Sequence, residues 1–182
     1  MTLTKTYPSG PRLSFRDFEP DDVSDVYEYT SDPVVCQFST WGPNTLEQTT
    51  DWVTAAARAP LEADRDAYSL AAVVNGKTIG SVGIWITDPH DCNGELGYTF
   101  HRDYWGHGYA SEAAAMLLNF GFNSLGLERI TATCHPENQA SIRVLEKNGF
   151  AVEGRLRSHR LVRGQRRDSM LYSILRSEWS QA

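Results

Sequence analysis

The segment Trp105-Gly106-His107-Gly108-Tyr109-Ala110 lies between a predicted strand, Glu95 to Phe100, and a predicted alanine-rich helix from about Ala110 to Phe122. Because glycine lacks a Cβ atom, Gly106 and Gly108 allow the backbone to turn sharply and to approach a ligand closely. The first N–H groups of a helix, together with its dipole, attract anions. The segment therefore predicts an anion site at a helix N-terminus, with an ordinary tight turn as the alternative.

The chain on both sides of this segment predicts a mixed sheet. Asn75-Gly76 separates two apolar runs, which indicates a type I′ hairpin. The helix after the glycine segment is followed by another strand, and a right-handed crossover makes that strand parallel to the one before the glycines. Strands are predicted at residues 12–18, 69–74, 78–86, 95–100, 127–134, 150–156 and 167–175, the last two joined by a turn near Gly164. Helices are predicted from residue 20 onward and at about 45–58, 110–122 and 139–147.

These elements define the expected architecture. The fold class is α/β (α+β), with a mixed, mostly antiparallel central sheet of about seven strands flanked by about four helices. A chain of 182 residues that is 41% hydrophobic and 22% charged has an ordinary globular composition. We therefore expect a single domain over residues 1–182.

Composition also restricts the location and the partners. The start of the chain lacks the pattern of a signal peptide, no apolar run is long enough for a membrane span, and Cys36, Cys92 and Cys134 suggest no disulfide framework. We expect a soluble, cytoplasmic protein without a membrane partner. The five histidines show no His-x-x-x-His spacing, so no metal site is predicted.

The charge is unevenly distributed along the chain. The net charge is −6, with acidic residues in excess before residue 70 and a concentration of arginines after residue 150. Nucleic acid is therefore not the expected partner. A solvated hairpin is the favoured interpretation of these arginines, and an anion-facing surface is the alternative. They are Arg155, Arg157, Arg160, Arg163, Arg166 and Arg167.

Two nucleotide-binding motifs do not fit the glycine segment. No Gly-x-x-x-x-Gly-Lys-Ser/Thr sequence is present, which excludes the phosphate loop of nucleoside triphosphatases. The dinucleotide fingerprint lacks its third glycine or alanine, because Ser111 stands there, and Glu128 precedes the next strand instead of ending it. A nicotinamide enzyme is disfavoured.

Four ordered motifs resemble the GCN5-related N-acetyltransferase (GNAT) family, in particular its branch of ribosomal-protein N-terminal acetyltransferases. The family's acyl-CoA motif, Gln/Arg-x-x-Gly-x-Gly/Ala, is similar to Trp105 through Ala110, with Trp105 in place of Gln or Arg. The other three are Glu95-Leu96-Gly97-Tyr98, the run from Asn138-x-x-Ser141 to Gly149-Phe150, and Glu153-Gly154-x-Leu156-Arg157 with Gly164-x-x-x-Asp168.

This resemblance implies an acetyl-CoA site and no metal. Backbone groups from Tyr104 to Ser111 are expected to hold the pyrophosphate, and N–H groups around Gly97 and Tyr98 are expected to polarise the thioester carbonyl. Arg102, Arg143 and Lys147 are candidates for the outer phosphates. Asn138 is either a pantetheine or serine-orienting residue or a helix N-cap. The predicted cofactor-binding residues are Tyr98, Tyr104, Trp105, Gly106, His107, Gly108, Tyr109, Ala110, Ser111, Asn138, Arg143 and Lys147.

Two residues are predicted to act in catalysis. A protonated alkylamine has a pKa of about 10.4, so a base must remove a proton near neutral pH. Glu95 is the first candidate, with a solvated strand-edge carboxylate as its alternative interpretation, and His101 is a second candidate. Many relatives have a tyrosine at the position of Leu145, which cannot donate a proton. Ser141, one helical turn earlier, is therefore predicted to hydrogen-bond the departing sulfur.

The predicted function is transfer of an acetyl group from acetyl-CoA directly to a primary amine, through a ternary complex. The amine is a protein N-terminal α-amine, a peptide or a small amine, and Trp41, Trp52 and Trp85 are candidates for lining its pocket. Two other functions remain as alternatives: a non-catalytic acyl-CoA-binding module and an NAD(P)-binding oxidoreductase. Both a monomer and a homodimer are compatible with the sequence.

Overall fold

A computed structural model of the chain describes residues 7–61 and 65–179. Its strands form one seven-stranded sheet, and four α-helices flank it. The strands are β1 (Ser14–Arg16), β2 (Ala67–Val74), β3 (Lys77–Asp88), β4 (Asn93–Phe100), β5 (Arg129–Cys134), β6 (Ala151–Val162) and β7 (Gln165–Leu175). The helices are α1 (Val23–Thr30), α2 (Leu46–Arg58), α3 (Tyr109–Asn119) and α4 (Gln139–Lys147). Within the described ranges, no helix has the length and apolar character needed to span a bilayer.

The strand order is β1-β2-β3-β4-β5-β7-β6. All neighbouring strands are antiparallel except β4 and β5, which are parallel and are connected in the chain through α3. This confirms the predicted mixed, mostly antiparallel sheet and its one parallel pair. The register of β4 with β5 covers only Asn93 to Glu95 opposite Arg129 to Thr131, and the two strands then separate.

Local sequence signals explain three of the element ends. Asn75 and Gly76 both have positive φ angles, as the β2–β3 hairpin requires. Thr45 and Gln48 form a reciprocal capping box at the start of α2. The side chain of Asn138 accepts a hydrogen bond from the Ser141 amide, so Asn138 is the N-cap of α4.

Several predicted boundaries differ from those observed. The strand expected at 12–18 pairs with β2 only over Ser14–Arg16. The α-helix expected to reach residue 122 ends at Asn119 and continues as a π-turn. The last hairpin is longer than expected, because β6 continues through two bulges to Val162 and β7 begins at Gln165. Bulges interrupt the period-two pattern from which strands are predicted, which hid this extension in the sequence.

Side chains on the two faces of the sheet form two apolar clusters. Leu70 and Ala72 of β2 belong to the larger cluster, which also contains buried residues of α3 and α4. Ala71, between them in the sequence, belongs to a smaller cluster with residues of α1 and α2. Because successive strand residues point to opposite faces, α1 and α2 cover one side and α3 the other.

A buried carboxylate links β1, the start of α1 and β3. Asp22 is 5% exposed and forms a two-point ion pair with Arg16, at 2.6 and 2.7 Å. It also accepts hydrogen bonds from the Thr78 hydroxyl at 2.6 Å and from the Glu19 amide at 2.8 Å. Burial acts to raise the pKa of Asp22, but these hydrogen bonds outweigh burial and hold the pKa below its usual value.

Asp22→Asn should lower the free energy of unfolding at pH 7 by about 3 kcal/mol, because Arg16 loses its buried partner. A carboxylate with a lowered folded-state pKa stabilises the fold above its unfolded pKa of about 3.9 and loses this effect as the pH falls through its folded pKa. Urea unfolding at pH 7, 5 and 3 should therefore show a smaller loss of stability on acidification in the variant. The exposed Asp21→Asn is the control, and an equal acid dependence in wild type and Asp22→Asn would contradict the prediction.

Candidate active site

A cavity of about 1100 Å³ opens where β4 and β5 separate. Its walls come from β4, β5, the glycine segment, α4, the loop at 34–41 and the β6–β7 hairpin. Pockets that hold one drug-sized ligand usually measure about 300 to 1,000 Å³. The cavity therefore slightly exceeds this range.

Most of the predicted site residues line this single cavity. His107 and Gly108 do not, although they belong to the turn at its edge. The lining residues from the predicted set are Glu95, Tyr98, Tyr104, Trp105, Gly106, Tyr109, Ala110, Ser111, Asn138, Ser141, Arg143 and Lys147. The fold thus brings residues from β4, the α3 N-terminus and α4 to one place, across about fifty positions of sequence.

The glycine turn has the geometry of an anion cradle. Gly106 and Gly108 have φ angles of 78° and 83°, which side chains other than glycine rarely adopt. Gly108 is the N-cap of α3, and no side chain caps that helix end. A Cβ atom added at Gly106 would meet nothing within 4 Å, so the space above the turn is open. The first amides of α3 are therefore available to an anion.

Two side chains hold this turn in place. Trp105, where the acyl-CoA motif has Gln or Arg, donates from Nε1 to the Phe100 carbonyl at 2.8 Å and so ties the turn to the end of β4. Arg12 donates to the His107 carbonyl at 2.7 Å, pairs with Glu112 at 2.7 Å and lies over the Tyr109 ring. The sequence analysis missed Arg12, because nothing local shows that it reaches a turn almost a hundred residues away.

A chain of polar groups lies between β4, β5 and α4. The Tyr98 hydroxyl is 3.1 Å from Ser141 Oγ, and Ser141 lies near the Cys134 thiol, whose pKa it acts to lower. Burial raises the pKa of Tyr98, although the hydrogen bond with Ser141 acts in the opposite direction. Burial likewise raises the pKa of Cys134 to about 11. Both groups therefore stay protonated at neutral pH, and Ser141 is the hydroxyl between them.

The carboxylate of Glu95 lies on another wall of the cavity. Its Oε1 accepts a hydrogen bond from the Thr133 hydroxyl at 3.1 Å. Glu95 is the last β4 residue in register with β5, so its side chain stands where the cavity begins. The structure places this predicted base in the cavity wall instead of on a free strand edge.

The other end of the cavity contains the predicted aromatic residues. Trp41, Trp52 and Trp85 all line it, and between 37% and 40% of each is exposed. Arg163 fixes the loop that carries Trp41, because its guanidinium donates to the carbonyls of Cys36, Trp41 and Gly42. This contact joins the tip of the β6–β7 hairpin to the loop and was not predicted.

Comparison with known proteins identifies the family. The model of the acetyltransferase (GNAT) domain matches residues 12–151. The chain belongs to the GNAT family. This confirms the resemblance that the four motifs indicated.

Individual GNAT relatives match over almost the whole chain. The uncharacterized N-acetyltransferase p20 of Bacillus licheniformis is 34% identical over 93% of this chain and 96% of its own length. A GNAT acetyltransferase from Bacillus anthracis has a TM-score of 0.84 at 32% identity, covering 95% of this chain and all of that one, 100%. RimJ of Mycobacterium smegmatis, in complex with CoA-disulfide, has a TM-score of 0.80 at 25% identity, covering 93% of this chain and 85% of its own.

Other predicted roles fit the GNAT structure less well. Arg102 does not line the cavity and instead lies 3.4 Å from Asp32. His101 also lies outside the cavity lining, where its ring accepts a hydrogen bond from the Asp103 amide and faces Glu28 at 3.7 Å. Neither side chain therefore lines the cavity that the other candidates share. Among the described residues, no group of three or more His, Cys, Asp or Glu side chains is arranged to hold a metal ion.

Gly106→Ala should weaken acetyl-CoA binding by about tenfold or more, since its Cβ would enter the open space above the turn and its φ angle would be strained. Gly76→Ala is a matched control, because Gly76 has a φ of 81° and equally open surroundings but lies in the β2–β3 hairpin. Isothermal titration calorimetry gives the affinity and urea unfolding the stability. We expect similar losses of stability but a loss of affinity only at Gly106, and equal affinities in the two variants would refute the assignment.

Proposed function

We propose that this GNAT protein transfers the acetyl group of acetyl-CoA directly to a primary amine within a ternary complex. The observation that carries the proposal is the cavity at the separation of β4 and β5, which the uncapped α3 N-terminus, Ser141 and Glu95 all line or border. A direct transfer needs a donor cradle, a hydrogen bond to the leaving sulfur and a base in one space. These three features occur together here.

The donor end of the cavity fits a pyrophosphate and further phosphate. The amides at the start of α3 supply N–H donors without a competing side chain. Arg143 and Lys147 of α4 line the same cavity and supply positive charge. Acetyl-CoA supplies a thioester as the acyl donor, and Gly97 and Tyr98 lie on the part of β4 that no longer pairs with β5. Their backbone is the proposed partner of the thioester carbonyl.

Glu95 is proposed to accept the proton of the amine, directly or through a water molecule. The amine nitrogen then forms a bond to the carbonyl carbon, and the bond from that carbon to sulfur breaks. The sulfur leaves as a thiolate, which needs stabilisation more than an immediate proton because a free thiol has a pKa of only about 8.5. Ser141 is proposed to donate a hydrogen bond to this thiolate.

The surroundings of Ser141 suit this role. If Tyr98 donates its proton to Ser141 Oγ at 3.1 Å, the Ser141 proton is free for the sulfur. Leu145, at the usual position of a tyrosine, is 1% exposed and provides no such donor. The hydroxyl groups of Tyr98 and Ser141 together thus take the place of the single tyrosine hydroxyl that many relatives have at the position of Leu145.

A covalent acetyl-cysteine intermediate is not part of the proposal. All three cysteines lie in the described residues and are free, and only Cys134 lines the cavity. Because the pKa of Cys134 is raised to about 11, its nucleophilic thiolate form is scarce at neutral pH. Free cysteines also agree with a reducing compartment, and we place the protein in the cytoplasm.

Thiol release from acetyl-CoA tests the function. The purified chain is mixed with acetyl-CoA and, separately, with N-terminal peptides of ribosomal proteins, polyamines and aminoglycosides, and the product amide is identified by mass spectrometry. We expect release that depends on the amine. Binding of acetyl-CoA without release for any amine would favour a non-catalytic acyl-CoA-binding module instead.

Glu95→Gln should lower kcat about 100-fold at pH 7 with little change in acetyl-CoA affinity, because general base catalysis contributes at least about that factor. The defect should shrink from pH 7 to pH 10, since an acceptor amine with a pKa of about 10.4 becomes increasingly deprotonated in solution. Initial rates over this pH range provide the measurement, with the exposed Glu146→Gln as the control. A defect that is constant with pH would rule out Glu95 as the base.

Ser141→Ala should lower kcat about 10- to 100-fold, the value of one hydrogen bond to a charged group. Tyr98→Phe should have a smaller effect of about fivefold, because it leaves the serine in place but removes its partner. Tyr172→Phe, a buried tyrosine outside the cavity lining, is the control. Steady-state kinetics and acetyl-CoA titrations measure both variants, and an unchanged kcat in Ser141→Ala would remove the serine from the mechanism.

A further inference from the structure

Two arginines on the β6–β7 hairpin lie directly opposite each other. Arg160 of β6 and Arg167 of β7 are cross-strand partners, and both line the large cavity. Directly opposed residues of an antiparallel pair have Cβ atoms only about 4.5 to 5.5 Å apart, and like charges there destabilise the sheet. A hairpin with a purely structural purpose gains nothing from this arrangement.

The described part of the chain does not neutralise this arginine pair with a carboxylate. No acidic side chain there lies within 4.0 Å of either guanidinium, and the neighbouring carboxylates of Asp168 and Glu137 form no ion pair with them. Asp168 accepts hydrogen bonds from the Ser158 amide at 2.8 Å and from Arg155 at 2.7 Å, which lower its pKa. Glu137 lines a smaller neighbouring cavity with Arg167 but forms no ion pair with it.

The position of the arginine pair is on the acceptor side of the cavity. Arg167 donates to the Gln37 carbonyl at 3.3 Å, and Arg163 of the same hairpin holds the loop that carries Trp41. The phosphate-binding candidates, by contrast, lie on α3 and α4. The arginine pair therefore lies on the side of the cavity formed by the loop that carries Trp41, where the acceptor amine is expected.

We infer that the acceptor is a primary amine that also carries a carboxylate, and that Arg160 and Arg167 bind this second group. The inference rests on the proposed acetyl transfer and specifies its substrate class. The guanidinium group presents N–H donors in a planar fork that matches a carboxylate, so two adjacent arginines form a strong carboxylate site. Bound there, the carboxylate relieves the repulsion between the arginines and holds the amine at a fixed distance from Glu95.

This inference differs from what overall charge suggests. The chain has a net charge of −6, which favours association with cations. The charged residues that line the cavity are nevertheless four cations against two carboxylates, Glu95 and Asp168, and Asp168 is already paired with Arg155. Short-range contacts at the wall decide which bound amine is correctly placed. The solvated-hairpin interpretation of the arginines thus fits Arg166, whereas the alternative anion-facing surface fits Arg160 and Arg167.

Matched acceptors test the inference in the full chain. One series consists of four peptides that carry a single Glu at position 1, 2, 3 or 4 from the N-terminus. Each peptide is compared with a peptide that has Gln at the same position. A second series compares 5-aminopentanoate with 5-aminopentanamide, which separates a small-molecule acceptor from a peptide. We expect the best carboxylate acceptor to exceed its neutral counterpart by about tenfold or more in kcat/KM.

Arg160→Gln and Arg167→Gln should each reduce this preference to about threefold or less and leave acetyl-CoA affinity unchanged. Arg160→Gln is the cleaner variant, because Arg167 also contacts Gln37. Arg166→Gln, on the neighbouring residue outside the cavity lining, should keep the full preference. Arg160→Glu should invert the preference towards peptides in which Lys replaces the Glu, an effect that simple loss of structure would not produce.

Three results would overturn the inference. Equal kcat/KM values for carboxylate and neutral acceptors in wild type would refute it while the proposed acetyl transfer still held. A weaker acetyl-CoA affinity in Arg160→Gln, with an unchanged acceptor preference, would assign the arginine pair to the donor instead. Failure of every amine to release thiol would refute the proposed function itself, and the inference with it.

Discussion

The early separation of β4 from β5 is the constraint on which the rest of the site depends. Parallel strands in one sheet normally keep their hydrogen bonds along their common length, but this pair is in register over only three residues, Asn93 to Glu95 opposite Arg129 to Thr131. Beyond Glu95, β4 keeps its pairing with β3 and β5 keeps its pairing with β7. The sheet therefore opens in its middle without losing either half.

Elements on both sides of the opening line the cavity. On the β4 side, the strand leads into the glycine turn, which Trp105 and Arg12 hold against the end of the strand and the start of α3. On the β5 side, the hairpin formed by β6 and β7 reaches back over the loop at 36–42 through Arg163. The cavity thus lies between the two halves of a divided sheet, with the glycine turn on one side and the β6–β7 hairpin on the other.

Local patterns in the sequence were enough to predict the order of the elements and the glycine turn before α3. The glycine segment, the Asn75-Gly76 hairpin and the α4 N-cap at Asn138 each depend on residues close together in the chain. The side of the cavity formed by the β6–β7 hairpin depends instead on contacts between residues far apart in the sequence. Arg163 binds carbonyls more than a hundred positions earlier, and no local pattern records such a pairing. The opposition of Arg160 and Arg167 likewise follows from a register that two bulges shift.

The divided sheet also affects the surroundings of Leu145, the residue at the usual position of a tyrosine. Leu145 is 1% exposed and belongs to the apolar cluster beneath α4, so this helix contributes packing at the position where a hydroxyl is common. Tyr98 comes from β4 beyond the last residue paired with β5, and its hydroxyl reaches Ser141 on α4 across the opening. The same separation leaves the cavity open beside α4 and places a second hydroxyl, that of Tyr98 on β4, next to Ser141.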